Sequence, residues 1–144
     1  EMYNACRKNF SSSDIIIFSA AVADYKPQQI ASEKIKSRNK NLSIQLAKTT
    51  DIAKEFSRKK RIDQIIVGFA LETERELDNA QDKLIRKGFD MIVLNSLKDK
   101  GAGFEHDTNK VTIIEKDNKI HNFGLKMKKE VARDILQTIS QKIH

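Results

Sequence analysis

Residues 14–20 form the run Asp14-Ile15-Ile16-Ile17-Phe18-Ser19-Ala20, which is short, apolar and rich in β-branched side chains. Such a run is typical of a parallel strand that is covered on both faces. Residues 65–70 and 91–94 have the same character. Between them, residues 74–87 have helical periodicity and are followed by Gly88, a residue type that commonly ends helices. Strand, helix and strand in this order predict a βαβ unit with a right-handed crossover, and therefore an α/β domain.

Amphipathic helices are predicted near both ends of the chain. In the first, apolar residues recur at i, i+3, i+4 and i+8: Met2, Ala5, Cys6 and Phe10. This spacing places Cys6 on a buried face. The second helix begins near Lys128 and carries its apolar residues on one side: Val131, Ile135, Leu136 and Ile139. We expect that side to pack on the domain.

Two hairpins are predicted outside the βαβ unit. Residues 42–46 alternate strictly between apolar and polar side chains, as a half-exposed strand does. Together with residues 33–36, across a polar turn at 37–40, they predict a hairpin that projects from the sheet. Residues 111–115 and 119–123, joined around Asp117 and Asn118, predict the second.

The composition is that of one globular domain. Of the 144 residues, 39% are hydrophobic and 33% are charged, so the chain is able to bury a core. No apolar run approaches the ~18 residues of a membrane span, and no secretory signal pattern begins the chain. A single cysteine cannot form an intrachain disulfide, so we expect a cytoplasmic protein without a membrane partner. The three histidines are too dispersed for a metal cluster, and we predict no metal ligands and surface positions for His106, His121 and His144.

The net charge of +7 favours anionic partners. Nucleotides, phosphorylated metabolites, nucleic acids and membrane surfaces all belong to that class. Lysine and arginine are scattered along the whole chain, and a basic solvated surface explains the charge equally well. The charge therefore narrows the class of partner without choosing one.

The segment after the first apolar run is the first place to look for a site, because open α/β sheets bind ligands beyond the carboxyl ends of their strands. Residues 20–27 have the sequence Ala-Ala-Val-Ala-Asp-Tyr-Lys-Pro. Small side chains let a ligand approach the backbone, and Asp24 offers a carboxylate to sugar hydroxyls or a metal. The alternative is a tight alanine-rich turn in which Asp24 accepts from backbone amides.

The predicted helix at 74–87 carries two lysines beside its apolar stripe. The stripe consists of Leu77, Ala80 and Leu84. At 100° per residue, Lys83 and Lys87 lie about 50–90° from its centre, whereas Arg86 points away from it. Lysines on that flank are able to reach a strand-end cleft. The alternative is that they border the core and keep their ammonium groups in water.

An ordered set of motifs runs through the chain. Residues 19–27, Ser-Ala-Ala-Val-Ala-Asp-Tyr-Lys-Pro, precede Glu-Lys-Ile-Lys at 33–36. Thr-Asp-Ile-Ala follows at 50–53, and Val-Gly-Phe-Ala-Leu-Glu-Thr at 67–73. The remaining matches are Lys83, Lys87, Asn95, residues 103–104 and Asn109. Over essentially the whole chain this set resembles the phosphopantothenoylcysteine synthetase family.

The resemblance implies a fold and an activity. The fold would be a three-layer Rossmann-like α/β domain with a mostly parallel sheet, a projecting β-hairpin flap and a C-terminal helix. The activity would be that of a ligase of coenzyme A biosynthesis, which joins 4′-phosphopantothenate to cysteine with CTP through an acyl-cytidylate. Eukaryotic members use ATP, so the choice of nucleotide stays open. Mg²⁺ would accompany CTP, the protein would be a homodimer, and FMN would be needed only if a decarboxylase is fused in the full protein.

The resemblance also assigns roles to residues. Ala20 and Asp24 would hold the base and ribose end of the nucleotide. Lys34, the proposed catalytic residue, would close over the phosphates on the flap. Lys83 and Lys87 would contact phosphates. The remaining candidates would line the pocket: Thr50, Asp51, Ile52, Ala53 and Phe69, with Asn95 as a further candidate of unassigned role. The chain departs from the family at Ser37, where a basic residue is usual, and at Thr50, where proline is usual.

We expect residues 1–144 to be a single synthetase domain that lacks its N-terminal part. In the family, that part supplies a glycine-rich turn and an asparagine. One alternative function is a basic nucleic-acid-binding α/β module, although aromatic residues make up only 6% and tryptophan is absent, so we predict no nucleic-acid partner. Another is a catalytically incomplete dimerisation domain.

Overall fold

The computed structural model describes residues 1–35, 41–96 and 106–143. The helices are α1 (Met2–Phe10), α2 (Ile52–Lys59), α3 (Glu76–Lys87) and α4 (Lys128–Ser140). The first strands are β1 (Ile15–Phe18), β2 (Tyr25–Pro27), β3 (Leu46–Lys48), β4 (Ile65–Glu72) and β5 (Met91–Ser96). The others are β6 (Thr108–Asn109), β7 (Val111–Glu115), β8 (Ile120–Asn122) and β9 (Lys126–Met127).

A five-stranded sheet in the order β1-β4-β5-β7-β8 forms the centre of the domain. The three apolar runs supply β1, β4 and β5, which pair in parallel with Ile15 beside Ile65 and Val67 beside Met91. The predicted βαβ unit is confirmed as β4, α3 and β5. Strand β7 is antiparallel to β5, and β8 is antiparallel to β7. Four of the five strands therefore run in one direction, and the prediction of a mostly parallel sheet is confirmed.

Helices cover the sheet on both faces, which confirms the three-layer architecture. On one face α3 buries Ala80 and Leu84 against Ile66 and Ile92, with Phe10 of α1 and Ala53 of α2 packed beside them. On the other face α4 buries its apolar residues against Val67, Val93 and Ile113. Those residues are Val131, Ile135 and Ile139.

Several residues on the helices are less buried than their spacing predicts, and Met2 and Ala5 of α1, both exposed, are among them. Leu136 is exposed, because the face of α4 that meets the sheet is narrower than the apolar set. Leu77 is exposed because it lies in the first turn of α3, beyond the carboxyl ends of the strands. Cys6 is half-buried, and no residue of α1 is fully buried.

The C-terminal end of α3 is as predicted. Gly88 has φ 74°, and its N–H donates to the carbonyl oxygens of Leu84 and Ile85. This left-handed conformation is one that glycine adopts without a steric penalty. It turns the chain directly into Phe89 and β5.

The first hairpin differs from its prediction. The antiparallel pair consists of β2 and β3, with Lys26 opposite Ala47, rather than residues 33–36 with 42–46. Ile35, Leu42 and Ile44 are exposed, so these alternating segments have no apolar surface against which to form a sheet face. The predicted turn at 37–40 and Lys36 lie outside the described residues.

The second hairpin is confirmed as β7 and β8, with Asn118 at φ 67° in its turn. The prediction that His121 is simply a surface residue is wrong. Its Nε2 lies 2.5 Å from Oε1 of buried Glu115, and Lys142 donates to Oε2 of the same carboxylate. Burial raises the pKa of Glu115, but the hydrogen bonds from Lys142 and His121 outweigh it and hold the pKa below its usual value.

Candidate nucleotide-binding cleft

A cleft of about 1230 Å³ lies at the carboxyl edge of β1 and β4. The turn after β1, the segment that leads into α2, the end of β4 and one flank of α3 form its walls. Every predicted site residue except Lys34 lines it: Ala20, Asp24, Thr50, Asp51, Ile52, Ala53, Phe69, Lys83, Lys87 and Asn95. Parallel strands bring their carboxyl ends to the same edge, which explains why residues far apart in sequence meet here. Their roles in binding stay predictions.

The turn after β1 is held by a residue that the sequence did not single out. The backbone N–H of Thr49 donates to the Asp24 carbonyl at 2.8 Å, and Thr49 Oγ1 donates to the Ala23 carbonyl at 2.6 Å. These bonds fix the turn to the start of the β2–β3 pair. The side chains of residues 20–24 remain exposed, so the turn presents backbone and small side chains to the cleft.

Asp51 has two structural contacts in the cleft. It is the N-cap of α2, where Oδ1 accepts from the Lys54 N–H at 3.1 Å. Its other carboxylate oxygen, Oδ2, accepts from Lys87 Nζ, so the second predicted phosphate-binding lysine is ion-paired. Burial raises the pKa of Asp51, but the hydrogen bonds from Lys87 and the Lys54 amide, with the positive charges of both lysines, hold it below its usual value.

Lys83 lies one turn earlier on α3 and makes no ion pair within the described residues. Burial lowers its pKa, and the charges of Lys87 and Arg86 lower it further. Glu72 and Asp24 raise the pKa without overcoming that effect. Lys83 is therefore a partly buried cation without a bonded counter-ion, and an anion in the cleft would compensate it.

Two residues that border the cleft, Glu72 and Arg86, were not predicted from the sequence to do so. Glu72 ends β4 and lies within electrostatic range of Lys83, and the rule that ligands bind at strand ends would have found it. Arg86 was predicted to point away from the apolar stripe; it is exposed, yet it also borders the cleft because the cleft curves around the outer flank of α3.

Lys34 is exposed and lies outside the walls of the cleft. The catalytic role that the resemblance gives it therefore stays a prediction. The matched residues 103–104 lie outside the described residues. Asn109 is placed in β6, where its Nδ2 donates to Asn95 Oδ1 at 3.1 Å.

A second cleft of about 570 Å³ lies at the opposite, amino end of the sheet. Two of its lysines are paired: Lys60 with Asp90 at 2.5 Å and Lys142 with Glu115 at 2.5 Å. Asp90 also accepts from the Ile66 N–H at 2.8 Å. These groups connect the chain after α2 and α4 to the ends of strands, so we assign them to stability rather than to ligand binding.

The described part of the chain offers neither a metal-ligand cluster nor a membrane span. Across residues 1–35, 41–96 and 106–143, no three side chains of the metal-binding types come together as a ligand set. Over the same residues, no helix has both the length and the apolar character needed to cross a bilayer.

The Asp51–Lys87 pair makes a pH-dependent contribution to stability that can be measured. Because the folded-state pKa of Asp51 is lowered, its contribution is present above the unfolded value of 3.8 and is lost as pH falls through the folded pKa. Asn keeps the N-cap but not the charge, so we expect Asp51→Asn to cost about 1 kcal/mol at pH 7 and little at pH 2. Urea unfolding of both proteins at both pH values tests this, and an equal difference at the two pH values would contradict it.

Known proteins are similar in sequence to this chain over nearly its whole length. The family model described as the DNA/pantothenate metabolism flavoprotein C-terminal domain matches residues 1–143. A cysteine/cysteine sulfinic acid decarboxylase from an unknown prokaryotic organism is 51% identical over 144 residues, covering 100% of this chain and 40% of that protein. The coenzyme A biosynthesis bifunctional protein CoaBC of Bacillus subtilis (strain 168) is 41% identical over 140 residues, covering 97% of this chain and 34% of that protein. The chain thus spans 34–40% of the length of these relatives.

Two solved structures are similar. The crystal structure of the C-terminal domain of CoaBC superposes with a TM-score of 0.76 at 37% identity, covering 99% of this chain and 63% of that one. The DNA/pantothenate metabolism flavoprotein from Streptococcus pneumoniae superposes with a TM-score of 0.77, covering 99% of this chain and 69% of that one. Its sequence identity of 23% supports the fold alone.

Proposed function

Because the chain belongs to the family described as the DNA/pantothenate metabolism flavoprotein C-terminal domain, we propose that it is the nucleotide-holding part of a ligase that joins 4′-phosphopantothenate to cysteine. The reaction would use CTP and serve coenzyme A biosynthesis. The observation that carries the proposal is the cleft, because the partly buried Lys83, which has no ion pair among the described residues, lines the same space as Asp24 and the exposed residues 20–24. A nucleotide presents sugar hydroxyls and phosphates, the groups that such a wall is able to bind.

The chemistry has two steps. In the first, a carboxylate oxygen of 4′-phosphopantothenate attacks the α-phosphorus of CTP and pyrophosphate leaves, which forms an acyl-cytidylate. In the second, the cysteine amine attacks the acyl carbon, CMP leaves and the amine proton goes to solvent. Lys83 and Lys87 would offset the charge on the phosphates, and Asp24 would accept from a ribose hydroxyl.

Magnesium enters this proposal with the substrate, as Mg·CTP. The described carboxylates of the cleft do not form a three-ligand group, so the triphosphate oxygens would supply most of the coordination. Lys34 would reach the phosphates through movement of the exposed segment that follows β2. FMN would bind only to a fused decarboxylase, and a homodimer in the cytoplasm remains part of the proposal.

Selective stabilisation by Mg·CTP is the test of this function. A ligand at 100-fold its Kd adds about 2.7 kcal/mol to the free energy of unfolding, enough for a clear rise in Tm. We expect a larger rise with CTP than with ATP or GTP, and a smaller one in Asp24→Ala and Lys34→Ala. Asp117→Ala, in the β7–β8 turn, is the control and should respond as the wild type does.

Three outcomes would count against the proposal. Equal rises in Tm with the three nucleotides would remove the case for CTP. Release of CO₂ from cysteine without nucleotide would favour the activity in the name of the 51% identical relative. A salt-sensitive signal for RNA or DNA, with none for CTP, would favour the nucleic-acid alternative.

A further inference from the structure

Glu72 lies on the same face of the sheet as the lysines of the cleft. It ends β4, and alternate residues of a strand point to one face, so its side chain shares a face with Ile66 and Ala70. Both of these residues are buried in the cluster beneath α3. Lys83 belongs to α3, which covers that face. Glu72 and Lys83 therefore line the cleft from one side of the sheet, one from the strand and the other from the helix that packs on it.

The side chains of Glu72 and Lys83 act on each other without forming a bonded pair. Burial lowers the pKa of Lys83, and the charge of Glu72 is the largest influence that opposes it. Among the described residues, neither side chain makes a hydrogen bond or an ion pair. Two opposite charges are thus held within electrostatic range of each other, and both are available to a ligand.

Glu72 differs from the other carboxylates of the cleft in being partly buried and unpaired. Within the described residues, four carboxylates line the cleft: Asp24, Asp51, Glu72 and Asp82. Asp51 is bonded to Lys87, and both Asp24 and Asp82 are exposed to solvent. A carboxylate that has lost part of its water is stabilised by a cation or by hydrogen-bond donors, and a ligand is able to supply both.

We propose that Glu72 binds the ammonium group of the amine substrate, in a subsite whose other charged side is Lys83. The inference rests on the proposed function, which makes that amine cysteine. An ammonium group carries three donors and a positive charge, which suit an unpaired carboxylate, whereas a phosphate would be repelled by it. A metal ion is the other cation that a carboxylate binds, but the described cleft residues provide no three-ligand group for one.

The place of Glu72 beside Lys83 also suits the reaction. In the second step the amine attacks an acyl carbon that is bonded to the α-phosphate of the nucleotide, and Lys83 is the proposed phosphate ligand. A carboxylate within electrostatic range of Lys83 would hold the amine next to that phosphate. Glu72 would then bind and orient the amine substrate, and the nucleotide would not contact it.

Glu72→Gln tests the assignment, because the amide keeps the size of the side chain and removes its charge. We expect the Kd for cysteine, measured by titration followed in ¹⁵N–¹H spectra with and without Mg·CTP, to rise about tenfold or more. The Kd for Mg·CTP should be unchanged or lower, since a negative charge near the phosphates is removed. In the wild type, 3-mercaptopropionate should bind about tenfold more weakly than cysteine, because it lacks only the ammonium group.

Further measurements separate ligand binding from a structural effect. Glu72→Asp keeps the charge, so it should lose less affinity for cysteine than Glu72→Gln. Glu74→Gln is the matched control, since Glu74 is exposed and lies outside the cleft; it should leave both affinities unchanged. The pKa of Lys83, followed in ¹³C spectra of lysine Cε, should fall in Glu72→Gln, because the charge that raises it is gone. If Glu72→Gln does not fold, Glu72→Asp and the comparison with 3-mercaptopropionate still decide the question.

The remaining outcomes are decisive. The inference is overturned if cysteine does not bind, if 3-mercaptopropionate binds as tightly as cysteine, or if Glu72→Gln leaves the Kd for cysteine unchanged. Equal losses of affinity for Mg·CTP and cysteine also overturn it, since Glu72 would then hold the metal or the nucleotide. If cysteine binds through Glu72 while CTP does not bind at all, the nucleotide part of the proposed function fails and the ammonium subsite stands.

Discussion

Gly68→Ala should lower the free energy of unfolding by about 3 kcal/mol, because overpacking in a core that cannot adjust has a cost of that order. A Cβ at position 68 would lie 2.1 Å from Cε2 and 2.4 Å from Cδ2 of Phe89. The ring cannot move aside, since Phe89 is 3% exposed and is packed in the cluster with Ile66 and Ile92. Chemical denaturation at neutral pH measures the loss.

Two further variants separate overpacking from other causes. Gly124→Ala is the matched control, because no atom of the described residues, its chain neighbours aside, lies within 4 Å of its added Cβ, and we expect a change below about 0.5 kcal/mol. Phe89→Leu should cost less in the Gly68→Ala background than in the wild type, since the smaller side chain makes room for the methyl group. Additive effects of the two substitutions would show that the ring is not what the methyl group meets.

The central sheet could be predicted because the patterns that indicate it, apolar runs and a helix-ending glycine, lie within short stretches of sequence. The runs that form β1, β4 and β5 are continuously apolar. Gly88 ends α3 in the left-handed conformation, which glycine adopts without strain. The rule that ligands bind at carboxyl ends of strands then predicted the turn after β1 as a wall of the cleft. Periodicity on α3 placed Lys83 and Lys87 toward the same space. All of this depends on short stretches of sequence.

The rest depends on contacts between distant residues. Gly68 gives no sign in the sequence that it faces Phe89, and Thr49 gives none that it holds the turn at residues 23–24. The alternation at 42–46 predicted a strand, but a strand needs a partner and a surface to cover. Only Leu46 has a strand partner, in β2, whereas the exposed Leu42 and Ile44 have neither among the described residues. Asn95 was found as a candidate, but only the structure shows that its Oδ1 accepts a hydrogen bond from Asn109 of β6.

Lys83→Met should make the protein more stable and its nucleotide binding weaker. The pKa of Lys83 is lowered, so the charged form is less favoured in the folded than in the unfolded chain. That penalty is present at neutral pH and disappears as pH rises above the unfolded pKa. Methionine fills similar space without charge, so we expect a gain of about 0.5 kcal/mol in the free energy of unfolding at pH 7. Loss of a charged contact to phosphate should raise the Kd for Mg·CTP about tenfold or more.

The two effects together distinguish a binding lysine from one that only borders the core. A lysine with its stem on apolar surface and its ammonium group in water would lose stability, or change little, when replaced by methionine, and CTP binding would be unaffected. Lys129→Met on α4 is the control, since Lys129 is exposed and lies outside the cleft; it should change neither quantity. Denaturation of the free protein and titration with Mg·CTP measure both. A stability gain with unchanged CTP affinity would place the nucleotide phosphates elsewhere in the cleft, because a lysine without an ion pair among the described residues would contribute to holding a triphosphate bound beside it.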